Sequence, residues 1–273
     1  MGPRRSSPAR LPLPLMSPRA FLVRGLLAGL LAGVATFLVA YAVGEPQVGA
    51  AIALEEAGGD GHSHSHAAEG AEGEEEAAEV SRTNQSTWGL LTGTLAVGVA
   101  LGGIVGLVAA ATLGRLGRLT PGQSTALVTL IGFVAVALVP FLKYPATPPA
   151  VGSGDTIGVR TAVYFAFQAL SVVAAVVVTY AAVRLRGRFG TYLAVVGAIA
   201  AYLAVMVVAG ELFTTVNEVG DFPADTLWFF RRASLITLAT MWGVLGVALT
   251  GLVIRLYAAE RAVAERKALA ASL

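Results

Sequence analysis

The sequence FLVRGLLAGLLAGVATFLVAYAV, residues 21–43, decides the fold of this 273-residue chain. It contains one charged side chain, Arg24, and a helix of about 20 mainly apolar residues is enough to cross the hydrocarbon core of a bilayer. The whole chain shares this character, because 56% of its residues are hydrophobic and 13% are charged. Soluble globular proteins carry about 25% charged residues. The stretch therefore predicts a transmembrane helix over about residues 20–43.

Five further apolar runs have a similar length. They lie at about residues 88–113, 124–142, 161–183, 189–212 and 233–257. Each must form a helix in lipid, where backbone N–H and C=O groups find no other partner. The sequence therefore predicts an all-α bundle of six transmembrane helices over 20–257, with tails at 1–19 and 258–273. The first run is longer than the apolar part of a signal peptide, so we interpret it as a retained span.

The positions of lysine and arginine predict the orientation of this bundle in the membrane. Fourteen of them fall on the side that holds both tails, and five fall on the other side. Cytoplasmic loops carry an excess of these residues, so both termini are predicted to be cytoplasmic. The loop at 44–87 is then outside. A bias towards arginine, alanine and glycine is typical of high-GC bacterial genomes, which indicates the plasma membrane of a bacterium.

Glycine spacing predicts how the first two spans pack. Two sets of glycines recur at every fourth position: Gly25, Gly29 and Gly33, and Gly98, Gly102 and Gly106. Small residues let transmembrane helices approach closely, so we predict that the two stripes face each other. The general abundance of glycine in membrane helices is the alternative explanation.

All three histidines of the chain lie in the predicted outer loop, within GHSHSHAAEGAEGEEE, residues 61–76. The candidate metal ligands are His62, His64, His66, Glu69 and Glu72. Imidazole binds divalent transition metals and carboxylates add oxygen ligands. The loop is therefore predicted to bind Co²⁺, Ni²⁺ or Zn²⁺ transiently, with no permanently bound cofactor and, since cysteine is absent, no thiolate ligand. A solvated acidic loop that binds no metal is the alternative.

A second polar cluster lies at the predicted outer ends of the spans. It consists of Glu211, Asn217, Glu218, Lys143 and Arg160. Opposite charges at this depth predict ion pairs that fix the outer mouth, and the oxygen atoms are candidate ligands for an entering cation. Interfacial charges that simply pair or reach towards water are the alternative.

The predicted spans themselves contain few polar side chains. The candidates are Thr36, Gln168, Ser171, Thr237 and Thr240. Ionisable residues within a membrane mark ion paths and proton relays, so their absence from the span centres argues against a self-sufficient proton-coupled pump. No phosphate-binding loop and no zinc-protease or serine-nucleophile motif occurs. The chain is therefore predicted to be neither an ATP-driven motor nor an enzyme, and we expect no nucleic-acid partner.

Three stretches of the chain resemble the CbtA family of predicted cobalt transporter subunits. They are RGLLAGLLAG at 24–33, FLKYPATPPAVG at 141–152 and VNEVGDFPADTLWFFRRASL at 216–235. The resemblance implies a multi-span membrane protein of cobalt supply, often grouped with a small membrane partner, CbtB. Two functions stay open: an uptake component whose outer loop captures the ion, and a non-transporting protein that buffers metal or scaffolds a partner. The outside position of the histidines and acids favours uptake, whereas the apolar spans favour the second function or require the partner.

Overall fold

The computed structural model describes residues 17–59 and 81–272, and within them the regular secondary structure is helical. The helices are α1 (Pro18–Val39), α2 (Glu45–Gly59), α3 (Arg82–Asn84), α4 (Leu90–Thr112), α5 (Pro121–Gly132), α6 (Val139–Lys143), α7 (Ile157–Leu212) and α8 (Ala224–Ala270). Three π-helical turns, Ala40–Gly44, Gln85–Gly89 and Phe133–Leu138, join α1 to α2, α3 to α4 and α5 to α6. A 3₁₀ turn at Gly154–Thr156 precedes α7.

Local sequence signals explain where two of the spans begin. The Ser17 hydroxyl accepts a hydrogen bond from the Ala20 N–H at 3.2 Å at the start of α1. At α5, Thr120 and Gln123 form a reciprocal capping box. Each helix has proline in its first turn, where the missing N–H costs no helical hydrogen bond.

Five helical stretches among the described residues are long and apolar enough to cross a membrane. They are Pro18–Ala57, Arg82–Thr112, Pro121–Lys143, Gly154–Leu212 and Ala224–Ala270. The count differs from the predicted six because the runs at 161–183 and 189–212 fall in one helical stretch, α7, which is interrupted at Gly190. The ends of the predicted outer loop 44–87 also differ from the prediction, because they are helical: Glu45–Gly59 forms α2 and Arg82–Asn84 forms α3.

Helix α7 is not straight. Gly190 has φ 81° and ψ 161°, a conformation that is essentially restricted to glycine. The Ser171 hydroxyl lies 2.7 Å from the Tyr202 hydroxyl, although 31 positions separate the two residues and would span about 46 Å of straight helix. The helix therefore reverses at Gly190 into two arms, 157–189 and 191–212, that lie side by side. Six membrane crossings and cytoplasmic termini stay predictions.

The predicted glycine contact between α1 and α4 is confirmed. A β-carbon added to Gly29 would overlap the Gly98 carbonyl oxygen, and one added to Gly25 would overlap that of Gly102. A β-carbon on Gly33 would lie 2.7 Å from the Thr94 carbonyl oxygen. The partner number falls as the α1 number rises, so the helices are antiparallel with their backbones in direct contact.

The hydrophobic core has two parts, which lie on either side of the α5–α6 span. The first joins α1, α4 and α8, with Phe21, Val105 and Leu249 buried in it. The second joins both arms of α7 to the π-helical turn, through residues such as Phe167 and Met206. The α7 hairpin therefore packs beside a core of four spans.

Candidate functional site

The predicted metal ligands His62, His64, His66, Glu69 and Glu72 lie outside the described residues. The structure describes the base of their loop, where Arg82 at the start of α3 forms an ion pair with Glu45 at the start of α2. Within 17–59 and 81–272, no group of three or more histidine, cysteine or acidic residues is placed to hold a metal ion. Metal capture by the loop stays a prediction.

The polar cluster that the sequence predicts at the outer mouth is organised around Glu218, in the segment between α7 and α8. Its carboxylate accepts hydrogen bonds from the Thr156 hydroxyl at 3.0 Å and from the Ser153 backbone N–H at 3.1 Å. The Arg160 guanidinium lies 3.6 Å from the same oxygen. These contacts connect the segment before α8 to the 3₁₀ turn that precedes α7 and to the first turn of α7.

The same contacts keep Glu218 ionised. The hydrogen bond from Thr156, followed by that from the Ser153 N–H, lowers the pKa of the carboxyl below its usual value. The positive charge of Arg160 contributes in the same direction, while partial desolvation opposes it. Glu218 is therefore a carboxylate at neutral pH.

The remaining predicted mouth residues do not join this contact. The Lys143 ammonium lies 5.6 Å from the centre of the Tyr144 ring, and the Tyr144 hydroxyl donates to the Thr214 carbonyl oxygen at 2.8 Å. Glu211 and Asn217 are exposed. The structure therefore brings Glu218 and Arg160 together but does not gather the five predicted residues into one ligand set, and their role in a pathway stays a prediction.

A break in the backbone hydrogen bonding lies within the third apolar span, between α5 and α6. The Val139 N–H donates to the Val134 carbonyl, which is the π-helical register rather than the α-helical one. Pro140 follows and has no N–H to donate. The carbonyls of Ala135 and Val136 therefore lack the donors that a regular helix would supply from Val139 and Pro140.

Side chains of the first α7 arm pair with both of these carbonyls. Gln168 donates its side-chain N–H to Val136 at 2.8 Å, and the buried Ser171 hydroxyl donates to Ala135 at 2.8 Å. Ser171 has one hydrogen to donate, so its 2.7 Å contact with Tyr202 is a hydrogen bond from the tyrosine hydroxyl. A continuous polar chain thus links both arms of α7 to the third span.

Sequence reasoning named Gln168 and Ser171 but missed Tyr202 and the two carbonyls. The available signal was Pro140, because a proline near the end of a span frees carbonyls that a neighbouring helix must satisfy. The other polar side chains predicted within the spans make contacts elsewhere and do not join the polar break. Thr36 contacts the Met241 sulfur at 3.7 Å, and Thr237 and Thr240 donate to carbonyls of their own helix.

This polar break contains only neutral groups: two carbonyls, one carboxamide and two hydroxyls. Such oxygens suit brief contact with a cation, but they do not offset the cost of removing a divalent ion from water as carboxylates do. The break can therefore join helices or line a passage, and it is poorly suited to holding a divalent metal ion permanently.

A family model described as "Probable cobalt transporter subunit (CbtA)" matches residues 18–254. No curated protein and no solved structure matched the chain. The matched region runs from the start of α1 to about two thirds of the way along α8, and it includes the polar break and the contacts of Glu218.

Proposed function

The chain belongs to the CbtA family of probable cobalt transporter subunits, and from this membership we propose that it is the membrane component of a system for cobalt uptake. The single observation that carries the proposal is the family match over most of the chain. The long apolar helices within the matched region are consistent with it. Membership in a family of transporter subunits favours transport over catalysis. It gives no support to the alternative of a non-transporting metal buffer or scaffold.

We further propose that the bundle crosses a bacterial plasma membrane six times, with each arm of α7 as a separate crossing. The support is geometric. The arms run in opposite directions on either side of Gly190, and the Arg186 guanidinium lies against Gly117, in the connection between α4 and α5. Two arginine-rich turns therefore lie at the same end of the bundle, as expected for a cytoplasmic face.

Thiol labelling tests this topology directly, because the chain contains no cysteine. A single cysteine at Gly187, beside the α7 reversal, should be protected from an impermeant maleimide in intact cells and become labelled after lysis. A cysteine at the exposed Ser153 is the matched control and should be labelled in both cases. Labelling of the Gly187 variant from outside would contradict the proposed orientation.

In the proposed uptake mechanism, the loop at 44–87 collects the ion outside the cell. His62, His64 and His66 supply nitrogen ligands, and Glu69 and Glu72 supply oxygen ligands and attract cations. Helices α2 and α3 bring the two ends of the loop together through the Glu45–Arg82 ion pair. The cargo is Co²⁺ or a similar divalent ion, Ni²⁺ or Zn²⁺, because these ligands do not select strongly among them.

Cobalt content of cells grown at limiting cobalt tests the role of the loop. Changing all three histidines to alanine should lower accumulation severalfold, whereas changing the interleaved Ser63 and Ser65 to alanine should leave it unchanged. Equal cobalt content in the two variants would remove the histidines from the uptake mechanism.

A small membrane partner of the CbtB type is the proposed second component. The supporting observation is the neutral character of the polar break, which offers no charged ligand for a dehydrating cation. Cobalt flux into proteoliposomes is therefore expected with both subunits and to be weak with this chain alone. Absence of flux in both preparations, with metal still bound, would favour the buffering alternative over transport.

A further inference from the structure

A cavity of about 450 Å³ lies between α5 and the two arms of α7. It arises because α7 packs mainly against the π-helical turn and α6, so that α5 and α7 diverge towards the end where Gly190 lies. Its walls are almost entirely apolar and include Leu127, Leu130, Val178, Ala182, Val195 and Ile199. This volume falls within the roughly 300–1,000 Å³ of small-molecule sites.

One end of the cavity is basic. Arg186 lines it one turn after Ala182, and the residue as a whole is half-buried. The neighbouring arginines have other partners. Arg184 donates to the Tyr180 hydroxyl at 2.9 Å, and the Arg188 guanidinium lies 5.3 Å from the centre of the Phe189 ring. Arg186 forms no salt bridge with any acidic side chain in the described part of the chain.

We propose that this cavity binds one acyl chain of an anionic phospholipid, with the lipid phosphate on Arg186. A long apolar wall with a single cation at its end matches an amphiphile that has an acyl chain and a negative headgroup. Basic pockets between transmembrane helices on the cytoplasmic side bind such headgroups, and guanidinium pairs with phosphate through two parallel hydrogen bonds. A soluble anion would leave the apolar wall unfilled. A zwitterionic lipid such as phosphatidylcholine carries its own cation, which opposes the attraction of Arg186 for the lipid phosphate.

The position of the site gives the lipid a structural role. The acyl chain would fill the space where α5 and α7 diverge, and it would supply contacts that the protein itself does not make there. The α7 hairpin would then be held to the four-span core at two levels: by the polar break in the third span and by lipid near Gly190.

Native mass spectrometry of the purified full-length chain tests the proposal, with phosphatidylglycerol and phosphatidylcholine as the lipids added. Wild-type protein should retain one phosphatidylglycerol in preference to phosphatidylcholine. Arg186→Gln should retain about fivefold less phosphatidylglycerol, because the attraction of one basic residue to an anionic lipid surface, about 1 kcal/mol, corresponds to that factor. Ala182→Phe should lose the lipid because the larger side chain fills the cavity. Arg188→Gln is the matched control and should behave as wild type.

A second measurement keeps the test valid if these variants misfold. A tryptophan at Ile199, in the cavity wall, should be quenched by about one equivalent of phosphatidylglycerol with brominated acyl chains. A tryptophan at the exposed Val207, on the same arm but outside the cavity, should require a large excess. Equal quenching at both positions, equal retention by Arg186→Gln and wild type, or a small membrane polypeptide retained in place of lipid would each overturn the proposal.

Discussion

Adding one methyl group to Gly29 is expected to separate α1 from α4. The new β-carbon would overlap the Gly98 carbonyl oxygen and lie 3.0 Å from the Val99 α-carbon. Both obstacles are backbone atoms, so no side-chain rotation relieves the contact and the helices must move apart. Overpacking of this kind costs about 1–3 kcal/mol, and we expect Gly29→Ala to lie near the upper end of that range.

Gly243→Ala is the matched control, because a β-carbon there would have nothing within 4 Å. Both changes gain the same helix propensity, up to about 1 kcal/mol, so the difference in unfolding free energy between the two variants isolates the clash. Unfolding in mixed micelles with increasing denaturing detergent measures that difference.

A second change on the facing helix sharpens the test. Gly102→Ala alone should be as damaging as Gly29→Ala, because its β-carbon would overlap the Gly25 carbonyl oxygen. The double variant should lose less stability than the sum of the two, because helices that have already moved apart make room for both methyl groups. Equal stabilities of Gly29→Ala and Gly243→Ala would refute the direct backbone contact.

Three further predictions concern the polar break, the α7 reversal and the outer mouth. Ser171→Ala should lower the unfolding free energy by about 0.6–1.7 kcal/mol, whereas Thr237→Ala, whose hydroxyl serves its own helix, should have little effect; equal losses would count against the interhelical role. Gly190→Ala should cost about 1–3 kcal/mol of backbone strain, unlike Gly197→Ala at an open helical position, and similar stabilities would argue against the glycine-specific turn. The pKa of Glu218 is lowered from 4.5 in the folded chain, so its stabilising contribution is present above about pH 4.5 and is lost as the pH falls through the lowered value. Glu218→Gln should therefore be less stable than wild type at pH 7 and should match it in strong acid, as followed by unfolding at a series of pH values; a stability gap independent of pH would contradict the role of the charge.

The sequence predicted the helix contacts that follow from simple periodicity. Glycine at every fourth position leaves one helix face without side chains, and in lipid such a face has little to pack against except another like it. The α1–α4 contact could therefore be inferred without coordinates. The apolar runs also correspond to helices long enough to cross a membrane, since bilayer thickness sets one length scale for all of them.

The break between the arms of α7 was harder to place from the sequence. Charged residues at 184–188 suggested a short connection there, but arginine is a good helix former and the helix continues through these residues. The reversal depends on the backbone conformation of one residue, Gly190, and the nearby Gly187 stays helical. Composition does not distinguish two such glycines.

The polar break was predicted only in part. Gln168 and Ser171 are recognisable as polar residues in an apolar run, but their acceptors are backbone carbonyls that every residue possesses. Tyr202 was missed because tyrosine in a membrane protein is usually found at the interface. The pairing depends on the rotation of α7 about its axis, which no local pattern in α7 specifies.

The glycine contact between α1 and α4 restricts which helices can move relative to one another during a conformational cycle. Where backbone meets backbone, there are no rotamers to exchange, and sliding by a fraction of a turn brings immediate collision. This helix pair is thus expected to serve as the stator of the assembly. The α7 hairpin is joined to it across the Pro140 region by hydrogen bonds that can break and re-form, so any rocking movement is expected to pivot there.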